Sequence, residues 1–112
     1  MTVVMKTDKE YIVCSAVWFK EILLGNEEIG GASLPKNCDK GLVFCGLRHH
    51  NCIYTMGGIT GLKESETGER VQGFLTNKNR FVDRIEGADI AIKAGQIESL
   101  KWGKQLYSED LW

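Results

Sequence analysis

The sequence predicts a single α+β domain, with a small, mainly antiparallel sheet and two or more packed helices. Three observations point there. The chain has 112 residues, and domains typically run from about 50 to 250, so a second core would leave each half too small. Short runs rich in β-branched and aromatic residues, bounded by glycines, recur along the chain. A segment with a complete set of helix start and stop signals lies in the C-terminal third.

Tyr11 to Phe19 reads Tyr-Ile-Val-Cys-Ser-Ala-Val-Trp-Phe, apolar on both parities, which predicts a strand buried on both sides. Ile22 to Leu24 extends or pairs with it before Gly25-Asn26 and Gly30-Gly31 interrupt. Gly25 to Lys40 holds the only proline, Pro35, with Asn37 and Asp39, and reads as a surface loop able to close over a pocket. Gly41 to Gly46 is a second buried strand. Cys52 or Ile53, Met56, and Ile59 or Thr60 then recur at helical spacing up to Gly61. Gly57 and Gly58 each weaken that helix by about 1 kcal/mol relative to alanine, which suggests close packing against another backbone. Lys63 to Arg70 reads as an exposed loop or irregular turn, Val71 to Thr76 as a third strand, and Asn77-Lys78-Asn79 as a turn. In the last helix Asp83 is the cap and Glu86 the capping-box partner. Ile85, Ala88 and Ile92 form its buried face, and Gly95 the stop. Leu106 to Trp112 is a tail with apolar residues around two acids, a composition that calls for docking on its own domain or on a second subunit.

Composition narrows the function. A hydrophobic fraction of 43% beside 26% charged residues is that of a folded chain rather than a disordered one. The net charge of -1, from 14 basic and 15 acidic residues, gives no general attraction to a nucleic-acid polymer or a membrane surface. No apolar run approaches the roughly 18 residues of a membrane span, and Met1 to Glu10 lacks the pattern of a signal peptide. The expectation is a cytoplasm, with Cys14, Cys38, Cys45 and Cys52 as free, mostly buried thiols.

Two constellations carry chemistry. Cys45-Gly46-Leu47-Arg48-His49-His50-Asn51-Cys52 runs from a strand end into a helix start, where main-chain NH groups attract anions and an arginine can grip a phosphate with two parallel hydrogen bonds. A zinc site is the competing reading, but no Cys-x2-Cys or His-x3-His pair is present. The bland reading makes one histidine a hydrogen-bonded core residue and the cysteines small hydrophobes. In the second, Gly73 to Arg84, Phe74 or Phe81 offers a purine stack, Thr76, Asn77 and Asn79 polar contacts, and Arg80 and Arg84 charge for phosphates. A strand, a turn and a capped helix would explain much of that segment without a ligand. Catalysis would need His49 and His50 as acid and base in one cleft, or Cys52 as a nucleophile beside His49 with a lowered pKa that the sequence does not predict. No P-loop and no Gly-x-Ser-x-Gly elbow is present.

From about Gly41 onward the chain resembles short phage and prophage proteins. The resemblance is carried by Cys45-Gly-Leu-Arg48-His49-His50-Asn-Cys52, Gly73-Phe74-Leu-Thr76, Arg80-Phe81-Val82-Asp83-Arg84, Ala94-Gly95-Gln96 and Leu106-Tyr107-Ser108-Glu109-Asp110-Leu111. In these it is similar to the first-described type of Thoeris anti-defence protein, a viral sponge. The resemblance implies a single nucleotide-binding domain over residues 1–112 that sequesters cyclic ADP-ribose signals, with cyclic di- or trinucleotides as further ligands, in the cytoplasm of a bacterial host. It implies no cleavage and no cofactor, and a homo-oligomer of dimers assembling to hexamers with pockets near subunit interfaces. Arg48, Phe74, Asn79, Arg80 and Arg84 are the positions that would carry the family's contacts. The full expected site is Arg48, His49, His50, Phe74, Thr76, Asn77, Asn79, Arg80, Phe81 and Arg84. A phosphodiesterase using His49 and His50, or a metal-stabilised module blocking a host protein, are the alternatives.

Overall fold

The computed structural model describes residues 9–22 and 34–112. Leu23 and Leu24, and the loop from Gly25 to residue 33, lie outside the described residues. Four strands, β1 (Ile12–Phe19), β2 (Leu42–Gly46), β3 (Arg70–Thr76) and β4 (Phe81–Asp83), form one sheet in the order β2-β1-β3-β4, with every neighbour antiparallel. The helices are α1 (His49–Thr60), α2 (Arg84–Lys93) and the single turn α3 (Ser108–Leu111), and a 3-10 turn spans Glu64–Glu66. The α+β expectation holds.

The long strand β1 is apolar on both parities because both faces of the sheet are covered. Its register against β3 shifts between Ile12, opposite Thr76, and Cys14, opposite Leu75. This one-residue irregularity puts Ile12 on the same face as Ser15, Val17 and Phe19. Under α1 that face packs Val17, Phe19 and Ile22 against Cys52 and Met56. Under α2 it packs Ile12, Phe74 and Val82 against Ala88, Ile90, Ala91, Ile97 and Leu106. The opposite face is covered by 34–40, where Cys38 and Leu34 meet Ala16, Phe81, Trp18, Val43 and Val71. The described part of the expected loop thus lies on the sheet as a structural cover.

Several boundaries differ from expectation. Helix α1 begins three residues before Cys52 and buries His49, Cys52 and Met56, while Ile59 is exposed. Gly57 and Gly58 are not sites of tight backbone packing: a side chain at Gly57 would meet only the Leu62 carbonyl, at 3.5 Å, and one at Gly58 nothing within 4 Å. Strand β4 was not expected, since three residues between a turn and a helix carry no periodicity of their own. Asn79 takes the left-handed conformation, φ 58°, closing the turn that joins β3 to β4.

Helix α2 starts at Asp83, whose carboxylate accepts from the amides of Ile85 (3.0 Å) and Glu86 (2.8 Å), and Gly95 follows its end at φ 78°. Its buried residues are Gly87, Ala88, Ile90 and Ala91. Ala88 was expected there, but Ile85 and Ile92 are exposed. The reason is steric: a side chain at Gly87 would stand 3.1 Å from the Phe74 ring, so the helix lies close to the sheet through its small residues and turns its isoleucines outward. No described helix is long and apolar enough to cross a membrane.

Candidate functional site

The expected residues divide into two groups on different parts of the sheet. Arg48, His49, Phe74 and Arg84 meet on the helix-covered face, at the N-terminal ends of α1 and α2. Thr76 ends β3 and Asn77, Asn79 and Arg80 lie in the turn beyond it, Phe81 is buried on the opposite face against Trp18, and His50 is exposed with its ring against Tyr54.

In the first group the chain enters α1 through Arg48, whose amide donates to the Asn51 side chain at 3.0 Å. That bond closes the first turn and places His49 inward. The His49 ring is 8% exposed, sits edge-on to Phe74, and contacts the Gly73 carbonyl through Nε2 at 2.8 Å. A carbonyl only accepts, so Nε2 carries the proton and Nδ1 of the neutral ring is an acceptor, 3.4 Å from an Arg84 nitrogen. Burial holds the His49 pKa below its usual value and Arg84 adds to this, against the bond to Gly73. Phe74 is fully enclosed, at 0% exposure, and serves the core rather than offering an open stacking face.

Arg84 is held by neutral groups. It donates to the Gln72 side chain at 2.6 Å and to the Leu106 carbonyl at 2.9 Å, and its guanidinium lies 4.5 Å above the Tyr107 ring. No described carboxylate lies within 4.0 Å of it; Glu109 reaches only Arg48, at 3.9 Å. Burial pushes the guanidinium pKa down, with Tyr107 and Glu109 opposing. Arg48, about a quarter exposed, donates to Ser108 Oγ at 3.2 Å and to the Trp112 main-chain oxygen at 2.5 Å. The tail therefore docks on its own domain, over both arginines.

Gln72, Tyr107 and Ser108 were not anticipated as members of this cluster. The tail's aromatic character signalled docking, but nothing in the sequence signalled on which residues.

The second group is committed to holding the chain together. Arg80 donates twice to Glu10, at 2.9 and 3.0 Å, and once to Glu86, at 2.9 Å. Both carboxylates push its pKa up, and Arg80 together with Thr76 pulls that of Glu10 down. Glu86 is thus engaged with Arg80 in place of a capping box. Thr76 donates to Glu10 at 2.6 Å. Asn77 accepts from the Tyr11 amide at 2.7 Å and donates to the Lys9 carbonyl at 3.1 Å. The Asn79 carbonyl accepts from the Lys36 amide.

All four cysteines are free; Cys38 and Cys52 are buried, Cys14 is half-buried and Cys45 exposed. Burial pushes the thiols of Cys38 and Cys52 up to about 11, the reverse of nucleophile activation. Cys45 pairs with Ala16 on the loop-covered face, whereas Cys52 packs on the helix-covered one. Among the described residues no three metal-ligating side chains gather.

The fold and this cluster define a small α+β protein whose tail lies over two arginines, one of them beside a buried histidine. Residues 11–112 match the family described as "Phage T4 y16D protein". The chain belongs to that family, and so is a small phage protein. Neither the curated proteins nor the solved structures provide a match.

Proposed function

We propose that this phage protein binds and sequesters a small anionic nucleotide of the cyclic ADP-ribose type in the cytoplasm of its bacterial host, without cleaving it. The observation that carries this reading is Arg84, a half-buried cation served only by neutral acceptors and an aromatic face, with Arg48 across the tail from it. A half-buried charge with no described carboxylate within 4.0 Å, on which Glu109 acts only from farther off, is costly, so an incoming phosphate gains more there than at an arginine already paired, such as Arg80. The sequence resemblance to the Thoeris anti-defence sponges supplies the ligand class and the expected homo-oligomer. Thr76, Asn77, Asn79 and Arg80 support the reading only indirectly, by fixing the β3–β4 turn that leads through β4 into α2.

A binder also fits the histidines better than a phosphodiesterase does. Acid–base cleavage would need two imidazoles around one scissile bond, and these two diverge, one into the core and one into solvent.

Titration calorimetry with cyclic ADP-ribose tests the assignment. Arg84→Ala is expected to weaken binding by about 1–3 kcal/mol, the worth of a charge-assisted hydrogen bond. Arg80→Ala should leave affinity nearly unchanged while lowering thermal stability. Equal affinity for wild type and Arg84→Ala would contradict the assignment.

A further inference from the structure

We propose that the segment Tyr107–Trp112 is a displaceable latch, an internal occupant of the Arg48–Arg84 site that a phosphate-bearing ligand must dislodge. The proposal rests on the binding reading above and adds its regulation.

The tail has a fixed root and a separable end. Leu106 is fully buried, its amide donating to the Arg84 carbonyl and its own carbonyl accepting from the Arg84 side chain. Beyond it, the turn of α3 is bonded largely to itself: the Tyr107 amide donates to the Asp110 carboxylate, the Asp110 amide to the Tyr107 carbonyl, and the Trp112 amide to the Ser108 carbonyl. Its polar ties to the body run to the two arginines. Ser108 Oγ and the Trp112 oxygen accept from Arg48, Glu109 stands 3.9 Å from Arg48, and the Tyr107 ring faces Arg84. Apart from Ser108, no residue of the segment is fully buried, and Leu111 only borders the core.

These are the contacts a phosphate would make. The tail gives the guanidiniums a hydroxyl, a main-chain oxygen and a π face, and a carboxylate only at 3.9 Å, where a phosphate offers charged oxygens at hydrogen-bond distance. The docked state also carries a defect, since Asp110 Oδ1 is buried without a hydrogen-bond partner. An unmet polar atom costs free energy that release of the turn would recover. A closed majority lowers apparent affinity by the fraction of molecules that are open, so loosening the latch should strengthen binding.

The test uses full-length protein and inorganic pyrophosphate, compared with the double variant Ser108→Ala/Glu109→Gln. The variant should bind pyrophosphate at least about threefold more tightly, as expected when a closed state is depopulated. In wild type, pyrophosphate should accelerate chymotryptic cleavage after Tyr107, read by mass spectrometry as loss of 108–112. Equal or weaker binding by the variant, or protection of Tyr107 by pyrophosphate, would overturn the latch and leave the binding site standing. Absence of pyrophosphate binding by both proteins would overturn the site and the latch together.

Discussion

At the scale of single residues, His49 decides how the cluster responds to pH. Its neutral ring donates from Nε2 and turns a lone pair toward Arg84. Because burial lowers its pKa in the folded state, the unfolded chain binds the proton more readily. Stability is then complete above the ordinary histidine pKa of about 6.5 and falls as the pH drops below it toward the folded value. Urea midpoints at pH 7.5 and pH 5.5 should differ in that direction, and His49→Gln should shrink the difference. An unchanged pH dependence in the variant would assign the effect to other groups. The sequence made Arg48, His49 and Arg84 visible as chemistry-bearing types. It did not show that Phe74 is enclosed or that Arg80 is held by Glu10, because both depend on partners far along the chain, Leu106 in one case and Glu10 in the other.

At the scale of elements, what was legible was whatever has a local cause. The strands β1, β2 and β3 announce themselves by apolar β-branched runs, and Asp83, Asn79 and Gly95 mark a cap, a turn and a stop through their own side chains or backbone freedom. The buried face of α2 was not legible, because the apolar period favoured Ile85 and Ile92, while close approach to the sheet favours Gly87, Ala88 and Ala91. Two substitutions separate local from tertiary causes. Asp83→Ala removes two hydrogen bonds at an exposed helix start and should cost about 1 kcal/mol. Gly73→Ala should cost more, roughly 1–3 kcal/mol, the usual range for overpacking. Its new methyl would lie 2.0 Å from the Val82 carbonyl oxygen, and the carbonyl of Gly73 itself accepts the hydrogen bond from His49 Nε2. Equal urea midpoints for the two variants would contradict this ordering.

At the scale of the whole molecule, the sheet sorts the expected site residues into two groups with different tasks. One end of β3 is tied down by Glu10, Thr76, Asn77 and Arg80, which fixes the turn and hence the start of α2. Arg84, the first residue of α2, is thereby set beside His49, and the tail closes over it from the other side. The fold class was readable from length and periodicity; the docking of the tail in cis was not, since its composition suited a second subunit equally well. The central claim is that this arrangement holds a cyclic nucleotide intact. The direct measurement is to incubate the purified protein with glycocyclic ADP-ribose, remove free ligand, denature the protein by heat and resolve what is released by chromatography with mass detection. Intact ligand in near-stoichiometric amount is the predicted result; a cleaved product, or no retained nucleotide, would contradict it.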